Sequence, residues 1–220
     1  MRETDRAEDA IPDVFTSHQQ SFVLIEFKLS VLARVIIMSD PSLYTYPSPL
    51  EGWEDLPPLP NDLAADGKSF LNPPAAKSPA YTAFPAPITN GPRGGFDVHI
   101  YYLQTDGAQA AFAAALWERV RREFPELRVY RLWDRPVGPH ATAMFEVNVF
   151  TPEQFGAFVP WLVVNRGPLS ALLHPNTGDD VRDHSQRATW LGERVPVNLG
   201  PLRRAVEAKR LREEQEQAKV

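Results

Sequence analysis

"AMFEVNVFTPEQFGAFVPWLVVNRGPLSALLH", residues 143–174, holds the reading on which the fold turns. Phe145, Val147 and Val149 alternate with Met144, Glu146, Asn148 and Phe150. A period of two marks a strand with two unlike faces. Thr151 then offers an N-cap, Pro152 suits the first helical position, and Gln154 completes a capping box. Phe155, Phe158, Val159, Leu162 and Val163 form the apolar stripe of the helix that follows, and Arg166 and Gly167 close it. "LSALLH", residues 169–174, reads as a further strand.

Working outward, "FDVHIYYL" (96–103) is β-branched and aromatic, as strands are. Thr105 or Asp106 can cap a helix in which Phe112, Leu116, Val120 and Phe124 recur every four residues. Pro125 ends it, "LRVYRLW" (127–133) gives another strand, and "DRPVGPH" makes a turn. The order strand, helix, strand, strand, helix, strand is the ferredoxin-like α+β pattern. It predicts a four-stranded antiparallel sheet in the order 4-1-3-2, with both helices on one face. The other face is expected to stay open for a ligand, a partner subunit, or both.

The flanks differ in texture. Most of the 22 prolines crowd residues 41–92. Proline fixes φ and removes a donor, so neither a helix nor a central strand persists there. Residues 1–90 are read as a largely irregular extension, with Tyr44, Tyr46, Trp53, Phe70, Tyr81 and Phe84 available to lie on the folded body. Within it, Ser21 to Met38 is apolar but carries Glu26, Lys28 and Arg34, which argues against a membrane span. Two readings stay open there: a peripheral helix, or a true start at Met38 with the preceding residues a gene-model artefact. Residues 91–200 form the expected catalytic domain. In residues 201–220 Arg and Lys interleave with Glu, as in a solvated helix, and the stretch after His184 looks irregular. A net charge of −5 argues against nucleic acid as a partner. The absence of cysteine removes disulfides and thiolate ligands and fits a cytoplasmic protein.

Strand parity then places the ionisable residues. If Phe96, Val98 and Ile100 face the helices, His99 shares the open face with Asp97 and Tyr101. The same argument turns Glu146 and His174 to that face. His140 precedes the third strand with the parity of Glu146, and His184 follows ten residues after His174, where a loop can fold back. Two histidines with a carboxylate, or three histidines, suit a divalent metal, and without metal the cluster serves as acid and base. Against this stands the plain alternative of hydrogen-bonded structural histidines, with Glu146 paired to Arg128 or Arg131. His18 is given no role.

"FDVHIYY", "GPH", "FEVNVF", "NRGPLS", "LLHPNTGD" and "DH", in that order, resemble the DOPA 4,5-dioxygenase family of fungi and bacteria. The resemblance runs from about Gly95 to Leu199. It implies a ferredoxin-like homodimer and ring opening of a catechol such as L-DOPA by O2 at a histidine-held, non-haem Fe(II). On that reading His99, His140 and His174 are the metal ligands, with Glu146 the substitute for His140. His184 is the acid/base group and Glu146 a further catalytic candidate. Arg182 or Arg187 would hold a substrate carboxylate, or be surface residues, and Tyr101 would touch substrate. The family often has His-x-His in the first strand, where this chain has Asp97, and proline where this chain has Ala141. The competing readings are a metal-free or zinc-holding enzyme of another reaction class and a metal-binding or non-catalytic dimeric ferredoxin-like binding protein.

Overall fold

β1 (Phe96–Tyr102) runs through the middle of the sheet, flanked by β3 (Ala143–Val149) and β4 (Ser170–Pro175), both antiparallel to it. A computed structural model describes residues 46–218, nearly all of them in one unit, Ser48–Val220. β2 (Arg128–Val129) pairs with β3, and β5 (Thr189–Leu191) pairs with β4. The sheet order is β2-β3-β1-β4-β5. Its first four members are the 4-1-3-2 order that the sequence predicts.

Two features correct the expectation. The stretch after His184 is not wholly irregular, because Thr189–Leu191 adds a fifth strand against β4. β2 is shorter than residues 127–133. Beyond Arg128 and Val129 the pairing thins to Tyr130 N donating to Glu146 O at 2.9 Å and an isolated bridge of Trp133 to Met144. Each margin of the sheet is therefore only two or three residues long.

α1 (Gly107–Glu123) is capped by Asp106, whose carboxylate accepts from the Ala108 and Gln109 amides. α2 (Pro152–Asn165) is capped by Thr151, which accepts from Gln154 N at 3.1 Å. The Gln154 side chain reaches back to Phe150 N at 2.8 Å, one residue beyond the N-cap amide of a standard capping box. Ala113, Leu116 and Val120 of α1 and Phe158 and Leu162 of α2 are buried against Val98, Ile100, Phe145, Val147, Val149, Ala171 and Leu173. This is the main core, on the face that strand parity assigns to it. Phe112 and Val163, expected on the buried stripes, are 37% and 51% exposed. Leu162 is buried as expected, and α1 presents Ala113 inward in place of Phe112, because the stripe turns slightly at 3.6 residues per turn.

Before β1, residues 46–95 form turns, short bridges and a 3-10 turn at Pro79–Tyr81. Of the aromatics expected to lie on the body, Phe84 does so, against Phe96 and Phe155. Tyr46, Trp53, Phe70 and Tyr81 are exposed, and Tyr44 and the Ser21–Met38 segment lie outside the described residues. α3 (Asp180–Asp183) is a single turn after β4, and α4 (Leu199–Gln217) is the charged terminal helix, with no buried residue. No described helix is long and apolar enough to cross a membrane.

The second sheet face is not open. Residues 176–198 fold over it. Trp190 stacks on Tyr101 with ring centroids 5.6 Å apart, Val197 bridges to His140, and Asn198 N donates to Pro139 O at 2.8 Å. Tyr101, Met144 and Leu172 form a small second core there with Trp133, Val137, Ala188, Trp190, Val195 and Val197. The sequence predicts an exposed face because it assigns no strand beyond His174. Once β5 forms, the apolar residues around it need a surface, and this face supplies one.

Candidate metal centre

Four histidines meet in the layer between this face and its roof. His99 comes from the middle of β1 and His174 from the end of β4. His140 comes from the turn before β3, and His184 caps the C-terminus of α3. All four are buried. Ring centroids lie 4.2 Å apart for His99 and His140, 5.1 Å for His99 and His174, and 3.9 Å for His174 and His184. His99, Glu146 and His174 thus share one face, as parity predicts, and His140 and His184 join them.

Local contacts aim the rings. His174 Nδ1 lies 3.0 Å from Pro175 O and His184 Nδ1 lies 2.8 Å from Asp180 O. A carbonyl can only accept, so each Nδ1 carries the proton and each Nε2 is a bare lone pair. His140 Nδ1 is 2.7 Å from the Tyr101 hydroxyl, which leaves its Nε2 uncommitted. The loop bearing His184 is braced by buried Asp183, which accepts from Thr177 N, Thr177 Oγ1 and Arg187 Nη1 at 2.8, 2.9 and 2.9 Å.

His99 Nε2 and His174 Nε2 are 3.0 Å apart. Because His174 Nε2 is bare, His99 Nε2 either donates its proton there or meets it as a second lone pair. In the first case His99 Nδ1 is stranded, and it is indeed buried with no hydrogen-bond partner, 3.7 Å from Glu146 Oε2. In the second, two lone pairs converge and need a cation between them. Metal–nitrogen bonds of about 2.1 Å at a right angle would place two donors about 3.0 Å apart. Moving the His99 proton to Nδ1 turns it toward the Glu146 carboxyl, the arrangement in which a carboxylate orients a metal-bound imidazole. The donor set therefore fits a divalent first-row metal.

The electrostatics agree. Burial, reinforced by the neighbouring imidazoles, holds the His99 pKa well below its ordinary value. Burial and His184 lower His140 to about 3, and burial and His174 lower His184 to about 4. Burial also lowers His174, against an opposing pull from Asp97. All four are neutral at pH 7, the form that binds metal. Glu146 is displaced upward by burial and by Asp97. Burial, then Glu146, raises the Tyr101 hydroxyl, so it stays protonated.

Two triples bring their ligand atoms within 4.8 Å of one another: His99, His140 and His184, and Asp97, His99 and His174. His99 is common to both. The expected set of His99, His140 and His174 is divided between them, and His184 stands with the ligand atoms. Asp97 is the residue whose importance the sequence reading missed. It is fully buried, pairs with Arg93, and accepts on Oδ1 from Asn148 at 2.7 Å and Asn176 at 3.0 Å. Glu146 is held by Asn148 at 2.8 Å, while Arg128 donates to the Pro92 carbonyl. Arg187 is engaged with Asp183 and Thr177, and Arg182 pairs with Asp179 at 3.4 Å. Arg93 lies in "NGPRGG", where a turn is readable but a site contact is not.

Fold and cluster together define a small α+β protein with a buried polyhistidine centre suited to a metal ion. Residues 96–200 match the model of the Dopa 4,5-dioxygenase family. That stretch, just under half of the chain, is a domain of that family. It is 36% identical over 109 residues to a DOPA 4,5-dioxygenase of Amanita muscaria, a match covering 47% of each chain, so it spans about half of that protein. It is 59% identical over 180 residues to an uncharacterized 21.2 kDa protein of Botryotinia fuckeliana, covering 78% of this chain and 98% of that one. A crystal structure of a candidate dioxygenase from Nostoc punctiforme shares 40% identity, with a TM-score of 0.44, over 51% of this chain and 93% of that one.

Proposed function

We propose that the chain is an extradiol-type dioxygenase that opens the ring of a catechol, such as L-DOPA, with O2 at an Fe(II) held by histidine. The observation that carries this reading is the pair of Nε2 atoms, His99 and His174, facing each other at 3.0 Å inside a buried, neutral histidine cluster. His99 and His174 hold the metal through these atoms, His140 completes the set by closing in from the triple it shares with His99 and His184, and Glu146 orients His99 from its Nδ1 side. When bound, Fe(II) supplies the redox chemistry that joins O2 to the aromatic ring.

The protein's own groups do the rest. His184, with Nδ1 fixed on Asp180 O, presents a bare Nε2 and accepts a proton from a catechol hydroxyl. Tyr101 steers His140 through its hydroxyl and, with Trp190 stacked on it, gives the site an aromatic wall. The roof of residues 176–198 keeps bulk water from the reacting groups.

The test is purification of the full chain under anaerobic conditions, with metal analysis and a catechol turnover assay. About one iron per chain and a coloured ring-opened product are expected for the wild type. His99→Ala should lose both iron and turnover. Wild-type protein that takes up no iron and leaves catechols intact would overturn the reading.

A further inference from the structure

Arg93 pairs directly with Asp97, a carboxylate of the histidine layer, and it stands at the layer's edge. Its Nη2 pairs with Asp97 Oδ2, and the same oxygen lies 3.9 Å from His174 Nε2. The guanidinium is thus one carboxylate away from the candidate metal position. Asp97 is fully buried, whereas the Arg93 side chain is 50% exposed. One end of the guanidinium therefore reaches into the site and the rest faces solvent. A guanidinium has five donors in a fixed fork, and the pairing with Asp97 engages one nitrogen.

The support beneath Arg93 is rigid. It sits in a turn closed by Gly94 N to Gly91 O at 2.9 Å, and the Gly95 amide is held by Val149 O at 2.8 Å. Gly94 has φ +81°, and a Cβ there would lie 2.7 Å from the Val149 carbonyl oxygen, so only glycine fits. Arg128 donates to Pro92 O on the other side of the turn. A side chain carried on such a support is aimed rather than free to wander. The arginines that the sequence suggested for a substrate carboxylate are already paired with Asp183 and Asp179.

We propose that Arg93 is the specificity-determining residue of this site, binding a carboxylate on the substrate's side chain while the catechol oxygens face the histidines. This rests on the catechol-cleaving reading and narrows it to catechols that carry an anionic tail. A bidentate arginine–carboxylate pair is both strong and directional, and lysine replaces it poorly. Asp97 then has a second task. It holds the guanidinium in place, and Asn148 and Asn176 hold Asp97.

The experiment is anaerobic calorimetry of the iron-loaded full chain with two probes, 3-(3,4-dihydroxyphenyl)propionate and 4-propylcatechol. They share the ring and the three-carbon tail and differ in the carboxylate. Wild type should bind the first roughly thirtyfold more tightly. Arg93→Gln should bring that ratio to about threefold or less, leaving propylcatechol affinity within about threefold of wild type. Arg93→Lys keeps a cation beside Asp97 and should retain only part of the preference. If Arg93→Gln fails to fold, Arg93→Lys decides: an undiminished ratio overturns the proposal. Equal weakening of both probes, or no wild-type preference, also overturns it. Wild-type turnover of propylcatechol judges ring cleavage separately, so turnover without a carboxylate preference removes the Arg93 assignment alone. Wild type that binds neither probe removes both.

Discussion

Lowering the pH from 7 to 5 should destabilise the metal-free protein far more than its modest charge suggests. His140 and His184 ordinarily titrate at 6.5, but in the fold burial pushes them to about 3 and about 4. Each therefore binds fewer protons folded than unfolded throughout that interval. Stability that is complete above pH 6.5 is lost as the pH falls toward the folded values. Between pH 7 and 5 the loss is about 2 kcal/mol for each of the two, or about 4 kcal/mol together. His99 and His174 are displaced in the same direction and add to it. Glu146 opposes, because burial and Asp97 raise it in the fold and its protonation favours the folded state as the pH drops. The assay is urea unfolding followed by tryptophan fluorescence, with chelator present, at pH 7 and pH 5. For a slope of about 2 kcal/mol per molar, 4 kcal/mol moves the midpoint down by roughly 2 M, and the Glu146 offset makes the wild-type shift smaller. Glu146→Gln removes that offset and should steepen the fall. A midpoint in Glu146→Gln that is unchanged or higher at pH 5 would refute the reasoning.

Two further outcomes follow from local geometry. Gly94→Ala should cost about 2–4 kcal/mol in the same assay, since it strains a left-handed residue, collides with the Val149 carbonyl and disturbs the Gly95 hydrogen bond. A loss under about 0.5 kcal/mol would show that the turn yields easily. Arg187→Met leaves buried Asp183 without its cation and should weaken metal affinity about 10–100-fold through displacement of His184. That change is read by competition with a metal-chelating dye, and unchanged affinity would detach the Asp183 brace from the site.

The alternation of Phe145, Val147 and Val149, the capping signals at Thr151 and the period of α1 carry the four-stranded arrangement in plain view of the sequence. The faces of His99, Glu146 and His174 follow from parity alone, because a strand allows only two directions. His140 and His184 are harder. They lie off the strands, so parity can be extended to His140 but does not bind it, and the family motifs are what mark both. β5 is invisible because three residues beside Gly192 are too few for a period to register. Missing it hides the roof as well, since Val195 and Val197 look like loop residues until the strand before them is placed. Asp97 looks like a mere substitution for histidine. Besides nearby Arg93, its burial depends on Asn148 and Asn176, long-range neighbours that no local pattern encodes.

The short margins of the sheet bear on self-association. β2 offers two residues and β5 three, too few to template a strand from another molecule. Of the two broad surfaces, one is taken by α1 and α2 and the other by residues 176–198. Two copies that pair would therefore do so through the outward sides of helices or loops, without extending the ladder, and the histidine layer of each would keep its own ring of contacts.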